Sequence, residues 1–457
     1  MKLALIGGGG VRSPLFVMTL LRWQERIGVT ELCLMDIDER KLTLFGALCR
    51  ELTHRAGDPF TITTTSDARS ALTGADHVVT TIRAGFEQAR ATDERIALRH
   101  GVLGQETTGP GGFAMALRSI PAILGYAELM REVSPHAWMY NFTNPAGLVT
   151  QALRDAAFDR TIGICDGANG GQNAVADWAG VNPRQVRTEV FGLNHLSWCR
   201  SAWMNGEDVL PRAIADDRFL REHQSLFAPE LVRQLGMHLN EYLYYYYYAE
   251  QAVAAISSEG STRGEEIVEL NQRLLEQLEE ANVERNPERA LRVFFGYEKR
   301  RSATYMHYAY GGQTIEEANR NQVFDADIPA EAGEGYAGVA LSIIEALEKN
   351  QTLYTALNVP NEGAIEGMAA DDVVEVSCRV DGSGVHPLAI GEVPAPQLGL
   401  MRAVKLYERL TEQAIREHSR RLAVEALMAH PLVLSYSRAR PLVDEFLQAH
   451  RSYVGEW

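Results

Sequence analysis

A thiol and an imidazole stand thirty residues apart, Cys165 in the run GICD at 163–166 and His195 in FGLNH at 191–195. Two further clusters carry polar groups at suggestive positions. The loop GQETTGPGG at 104–112 precedes an apolar stretch, and Tyr242 is followed by five tyrosines at 244–248. Taken singly, each has an ordinary explanation. A long glycine-rich loop is a connection, although binding groups gather in such loops. No metal-ligand spacing rule joins Cys165 to His195, and a lone histidine is more often core or surface than ligand. A tyrosine run is more often packing with its hydroxyls at the rim. Nucleophile signatures are missing: there is no GxSxG, and nothing local supports Cys165 as an attacking thiolate.

The elements that must hold these residues read as a nucleotide fold. Residues 2–6 (KLALI) form a short apolar run closed by Gly7, Gly8, Gly9 and Gly10, with Val11 and Arg12 beyond it. Pro14 to Trp23 reads as a helix, and Glu31 to Met35 as a second strand ending at Asp36. Strand, glycine turn, helix, strand and acid is the order of a dinucleotide-binding βαβ unit. Glycines let the backbone approach a pyrophosphate, and the helix start offers it unpaired N–H groups. Asp36 can accept from a ribose 2′-hydroxyl and would repel a 2′-phosphate, which favours NAD over NADP. The glycine pattern is imperfect, since Arg12 stands where a third glycine belongs, or Ser13 if the count starts at Gly8.

Residues 75–82, 137–143 and 161–165 read as further buried strands of a parallel sheet. Ligands in such sheets sit at the carboxyl ends of strands, so Arg83, Asn144 and Cys165 fall on the functional edge. The fold class expected is α/β: an N-terminal Rossmann-like parallel sheet with helices on both faces, residues 1–165, then a mixed, helix-rich α+β domain, residues 166–457. In the second part, 265–279, 338–348 and 401–421 are helix candidates. Residues 374–380 alternate as a half-buried strand with Cys378 on its apolar face. Residues 300–329, rich in Tyr, Asn and Gln, read as loop or insertion.

Composition narrows the class. Over 457 residues, 46% are hydrophobic and 23% charged, as in globular proteins. A net charge of −16 argues against a nucleic-acid surface, which needs a basic stripe. No apolar run approaches the roughly 20 residues that span a bilayer, so no membrane partner is expected, and the N-terminal run ends in glycines rather than a cleavage site. Five cysteines without a CxxC pair fit a reducing cytoplasm.

Taken in order, IGGGG…P at 6–14, Asp93-Glu94-Arg95, GQETTGPGG at 104–112, NFTNPAG at 141–147, GICD at 163–166, FGLNH at 191–195, EYLYYYY at 241–247 and STRGE at 261–265 resemble the family-4 glycoside hydrolases. The resemblance runs over nearly the whole chain, through VEVSC at 374–378 to the C-terminal helices, and is strongest to the 6-phospho-β-glucosidase branch. The family is an NAD-dependent exception to two-carboxylate glycoside hydrolysis. The resemblance implies transient oxidation of the sugar at C3 by tightly bound NAD+, removal of the C2 proton by a tyrosine, stabilisation of the resulting enediolate by a divalent metal, usually Mn2+, and elimination of the C1 substituent. Water then adds and the hydride returns. It implies Cys165 and His195 as metal ligands, Tyr242 as base and Asp166 as acid to the leaving oxygen. It further implies Asn144 and Asn194 as substrate or cofactor contacts, Arg95 and Arg263 as ligands of a 6-phosphate, and a homodimer or homotetramer.

Two departures stand out. Asp166 replaces an Asn common in the β branch and resembles the 6-phospho-α-glucosidases, whereas STRGE and the tyrosine segment resemble the β branch. Residues 300–333 replace a shorter RGG-like segment. Other readings are a family-4 hydrolase for a 6-phospho-α-glucoside, an α-glucoside, a galacturonide or another 6-anionic sugar, an NAD-dependent sugar or hydroxyacid dehydrogenase, and a silent NAD sensor.

Overall fold

The computed structural model describes residues 1–310, 323–330, 333 and 335–457. Six strands, β1 (Lys2–Ile6), β2 (Glu31–Met35), β3 (Thr61–Thr65), β4 (His77–Thr80), β5 (Trp138–Asn141) and β6 (Thr161–Gly163), lie parallel in the order 3-2-1-4-5-6. That is the doubly wound order, with the crevice for a ligand where the strand order reverses beside β1. The helices between strands are set by local chemistry. Helix Ser13–Ile27 carries Pro14 in its first turn and stops at Gly28 in the left-handed region (φ 73°). Asp38 caps Glu39–Arg55 by accepting from Lys41 N–H at 3.1 Å.

The sheet does not end with β6. Three antiparallel strands from the second half of the chain, β11 (Leu353–Pro360), β12 (Val373–Asp381) and β13 (Gly384–Pro387), extend it to nine, with Asn358 paired to Gly163. The expected strand at 374–380 is β12, and Cys378 is fully buried in it. A second, antiparallel sheet is built from β7 (Arg187–Leu193), β8 (Leu196–Met204), β9 (Glu207–Asp208) and β10 (His238–Leu239). Helices Arg263–Ala281, Gly335–Lys349 and Ala395–Glu417 account for the three later helix candidates, although the last closes before Arg421 at His418. Of the 300–329 stretch, residues 300–303 complete helix Pro287–Ala303 and 307–310 form a 3-10 turn; 311–322 lie outside the described residues.

One expectation needs correcting. Helix Pro110–Val133, at 24 residues, is apolar and long enough to cross a membrane by length and composition. It is mostly buried, and its Arg118 makes a fully buried, two-pronged ion pair with Asp93. Its apolarity therefore reflects packing against helices Phe86–Arg99, Ala146–Asp155 and Ala68–Leu72.

The turn after β1 requires glycine at its first position. Gly7 has φ +97°, and a Cβ there would stand 2.8 Å from the Thr81 carbonyl carbon just past β4. Gly7→Ala is expected to destabilise the fold by about 1–3 kcal/mol, the usual scale of a strained backbone site, read as a lowered denaturation midpoint. A midpoint equal to that of the unmodified protein would show that the turn relaxes freely.

Candidate functional site

A cleft of about 950 Å3 opens at the carboxyl ends of β1, β4, β5 and β6, walled on the far side by segments 222–227 and 238–245 and by helices of the second half. Val11, Arg12, Arg83, Asn144, Cys165, Asp166, His195, Tyr242 and Arg263 all line it. Residues spread over 250 positions thus meet in one space. The glycine turn and Asp36 do not line this cleft but lie behind its rim. There Gly9 N–H donates to Asp36 Oδ2 at 3.0 Å and Asp38 N–H to Oδ1 at 3.0 Å. A Cβ on Gly9 would fall 2.9 Å from the Asp36 carboxyl carbon, so glycine brings turn and acid together.

The thiol and imidazole sit at opposite strand junctions. Cys165 follows β6 and is buried; burial and the Asp166 and Glu375 carboxylates push its pKa well up, against a donor from Asn194. His195 occupies the turn from β7 to β8, after Asn194, and burial lowers its pKa to about 4. It is therefore a neutral imidazole with a free lone pair near pH 7. Its ring stacks on Tyr242, centroids 4.1 Å apart and 15° from parallel. Asn194 Nδ2 donates to Glu375 at 2.9 Å, which leaves the buried Asn194 Oδ1 without a donor. Asp166 lies at the mouth, half exposed, 3.8 Å from the Arg12 guanidinium, which also sits over the Phe142 ring.

The tyrosine run forms a broken helix. A 3-10 turn (Glu241–Leu243) leads into Tyr244–Tyr247, and Tyr248 leaves helical geometry at φ −130°. Tyr242 and Tyr245 line the cleft, whereas Tyr246 turns away to stack near His430. Burial, with Glu241 and Glu106 nearby, raises the Tyr242 pKa well above its ordinary value. Its hydroxyl accepts a hydrogen bond from Tyr305 at 3.1 Å, and Tyr305 also reaches Glu241 Oε1 at 2.7 Å.

A group of cationic side chains also lines the cleft. Arg263 opens helix Arg263–Ala281 behind a capping box in which Thr262 accepts from Glu265 N–H and Glu265 from Thr262 N–H. Burial and the neighbouring Arg90 lower the Arg263 pKa, with Arg301 adding to the repulsion. Arg83 and Arg90 converge on Glu106; burial alone would raise its pKa, but the two guanidiniums outweigh that and hold it well below the carboxylate range. Arg95 is not among the residues lining the cleft. It forks onto Glu265 and the Gly260 carbonyl instead. Arg90, Arg301, Glu106 and Tyr305 are among the lining residues that the sequence did not mark individually. Only Glu106, inside the polar loop, left a local signal.

The donor set fits a divalent cation. No group of three or more His, Cys, Asp or Glu able to hold a metal occurs among the described residues. Two protein ligands would leave positions open to substrate oxygens, as in a catalytic rather than a structural site. Asn194, next to His195, is not among the residues lining the cleft; its side chain donates toward the Cys165 sulfur, and its buried Oδ1 has no donor.

The chain is similar to known proteins over nearly its whole length. The family 4 glycosyl hydrolase model matches residues 2–181, and that of the family 4 glycosyl hydrolase C-terminal domain matches 190–433. A probable 6-phospho-β-glucosidase of Bacillus subtilis is 31% identical over 472 aligned residues, covering 100% of this chain and 98% of the relative. A 6-phospho-β-glucosidase from Thermotoga maritima, solved with manganese, NAD+ and glucose-6-phosphate, superposes with a TM-score of 0.82 at 29% identity, covering both chains fully. A 6-phospho-α-glucosidase from gut microorganisms, solved with NAD and Mn2+, gives 0.80 at 26% identity, covering 100% of this chain and 99% of that one. Family models that together span both halves of the chain, and a full-length relative at this identity, place the protein: it belongs to family 4 of the glycosyl hydrolases.

Proposed function

We propose that the chain hydrolyses 6-phospho-β-glucosides to glucose 6-phosphate and the free aglycone, using NAD+ and a divalent metal, Mn2+ in this reading. The observation that carries the proposal is a single cleft lined both by buried arginines and by the Cys165, His195 and Tyr242 side chains, the last two stacked on each other. The β anomer is supported by the 31% identical relative and by the STRGE segment; Asp166 is the residue that favours α. We further propose that residues 1–165 serve the cofactor, residues 166–457 the sugar, metal and assembly, and that the enzyme works in the cytoplasm as a homodimer or homotetramer.

When bound, NAD+ supplies a reversible hydride acceptor for C3 and the metal supplies positive charge beside the sugar's O2 and O3. Asp36 holds a ribose hydroxyl, and the turn from Gly7 to Gly10, with Val11 and Arg12, lets the pyrophosphate approach the helix start at Ser13. Arg83 and Asn144 stand at the strand ends where the reacting end of the cofactor would lie. Cys165 and His195 would hold the metal, with Asn194 next to His195 in the chain. Tyr242 takes the proton from C2 and later returns it. Asp166 gives a proton to the leaving oxygen and regains one from the water that adds; net redox would be zero because the hydride accepted from C3 would be returned there. Arg263, with Arg90 and Arg301, binds the 6-phosphate; a guanidinium fork matches phosphate oxygens. Arg95, tied to Glu265, supports that site by holding the start of the Arg263 helix.

The test is a panel of α- and β-linked chromogenic glucosides, with and without 6-phosphate, assayed with NAD+, Mn2+ and reductant. Release of aglycone without accumulating NADH is expected; accumulating NADH would identify a dehydrogenase. Arg263→Ala is expected to raise KM for a phosphorylated substrate at least tenfold, on the scale of about 1.5–3 kcal/mol for a charged hydrogen bond. Its effect on the unphosphorylated analogue should be small, and equal effects would argue against phosphate recognition there.

A further inference from the structure

Glu375 lies in the middle of β12, wholly buried, with no ion-pair partner among the described residues. Its Oε1 accepts from Asn194 Nδ2 at 2.9 Å and Asn358 Nδ2 at 3.3 Å, and its Oε2 accepts from Ser197 Oγ at 2.6 Å. A buried carboxylate without a cation is costly to keep, so its retention at this place in the fold calls for a reason. The donors supply one. Asn194 precedes His195, and its side chain also reaches the Cys165 sulfur. Ser197 Oγ accepts from Asn240 Nδ2 at 3.3 Å, and Asn240 Oδ1 accepts from Tyr242 N–H at 3.0 Å. One carboxylate therefore stands at the root of two short chains, one ending at the metal-ligand pair and one at the expected base.

We infer that Glu375 is the positioning residue of the metal site, an anchor that fixes the Asn194 amide so that its NH2 group, bound to Glu375 and within reach of the Cys165 sulfur, orients that thiol beside His195. Both Glu375 oxygens accept hydrogen bonds, so Asn194 turns its NH2 toward Glu375 and its Oδ1 away. That Oδ1 is buried and has no donor. Partners one shell out from a metal orient its ligands and set its affinity. The inference rests on the reading of Cys165 and His195 as metal ligands.

The test is Mn2+ affinity measured without substrate, from the free-ion EPR signal, on wild type and Glu375→Gln, each with an NAD+ titration as a control for folding. Glu375→Gln keeps the shape and removes the charge. Its Mn2+ Kd is expected to rise about 10–100-fold, with NAD+ Kd within about twofold, because the glycine turn lies across the sheet at β1. Asn194→Ala should give a similar loss, and Glu375→Gln added to it should cost little more, because both act through one contact. A folded Glu375→Gln protein that binds Mn2+ as wild type does would overturn the inference while leaving the metal site standing. Should Glu375→Gln fail to bind NAD+, Asn194→Ala decides: unchanged Mn2+ affinity overturns the inference, and a tenfold loss upholds it. A wild-type protein that binds no Mn2+ would overturn both the inference and the site.

Discussion

Tyr242→Phe is expected to lower kcat about 10²–10⁴-fold, the range for loss of a positioned proton-transfer group, with NAD+ affinity unchanged. The substitution removes one oxygen and little else. The ring keeps its stack on His195 and its edge contact with Tyr245. The backbone keeps its bond to Asn240, and Tyr305 still has Glu241 as a partner. KM should therefore change far less than kcat. Burial raises the Tyr242 pKa, so the phenolate needs a positive charge close by, and the His195 ring packed against it marks where that charge would sit. Deuterium placed at C2 of the sugar should give a primary isotope effect in the wild type if proton removal limits turnover. Equal kcat in Tyr242→Phe would remove this tyrosine from the chemistry.

How far the sequence could be read depended on the range of the interactions. The first strand, its glycine turn and Asp36 are legible because their pattern repeats within about thirty-five residues, and the backbone there has little choice: Gly7 and Gly9 leave no room for a Cβ. Cys165 could be placed on the functional edge because a strand end is a local signal. Its meeting with His195 and Tyr242 came from family resemblance, since no spacing rule predicts a stack between residues forty-seven positions apart. Glu375 was hidden altogether, as its partners at 194 and 197 come from another sheet. The arginines show the same limit. Arg95 and Arg90 lie on one helix, Phe86–Arg99, five residues apart and on different faces; Arg90 lines the cleft and Arg95 meets Glu265. Motif order marks a helix reliably, but which side faces the ligand depends on what packs against it. Helix Pro110–Val133 misled composition for a related reason, because its charges are spaced by the turns of a helix that the protein, not lipid, encloses.

Stripping the metal is expected to lower kcat/KM by roughly 10²–10⁴-fold, the equivalent of the several kcal/mol that a Lewis acid contributes to a developing oxyanion. Mn2+ should restore the wild type and fail to restore Cys165→Ala. The geometry makes this pairing sharp. With no cluster of three His, Cys, Asp or Glu ligands among the described residues, removal of the sulfur leaves His195 as the one remaining side-chain ligand of the proposed pair, and a single neutral imidazole holds a divalent ion weakly. Cys165→Ser should behave nearly as badly, since an alcohol does not ionise as a metal-bound thiol does. Cys165 is packed under Gly167 and Asn194 rather than against the glycine turn, so both variants should bind NAD+ normally. That separates loss of metal from loss of fold. Metal analysis of the chelated protein completes the argument: undiminished glycoside cleavage with no metal present would show that the thiol and imidazole face the cleft for some other reason, and Tyr242 would then need another source of positive charge.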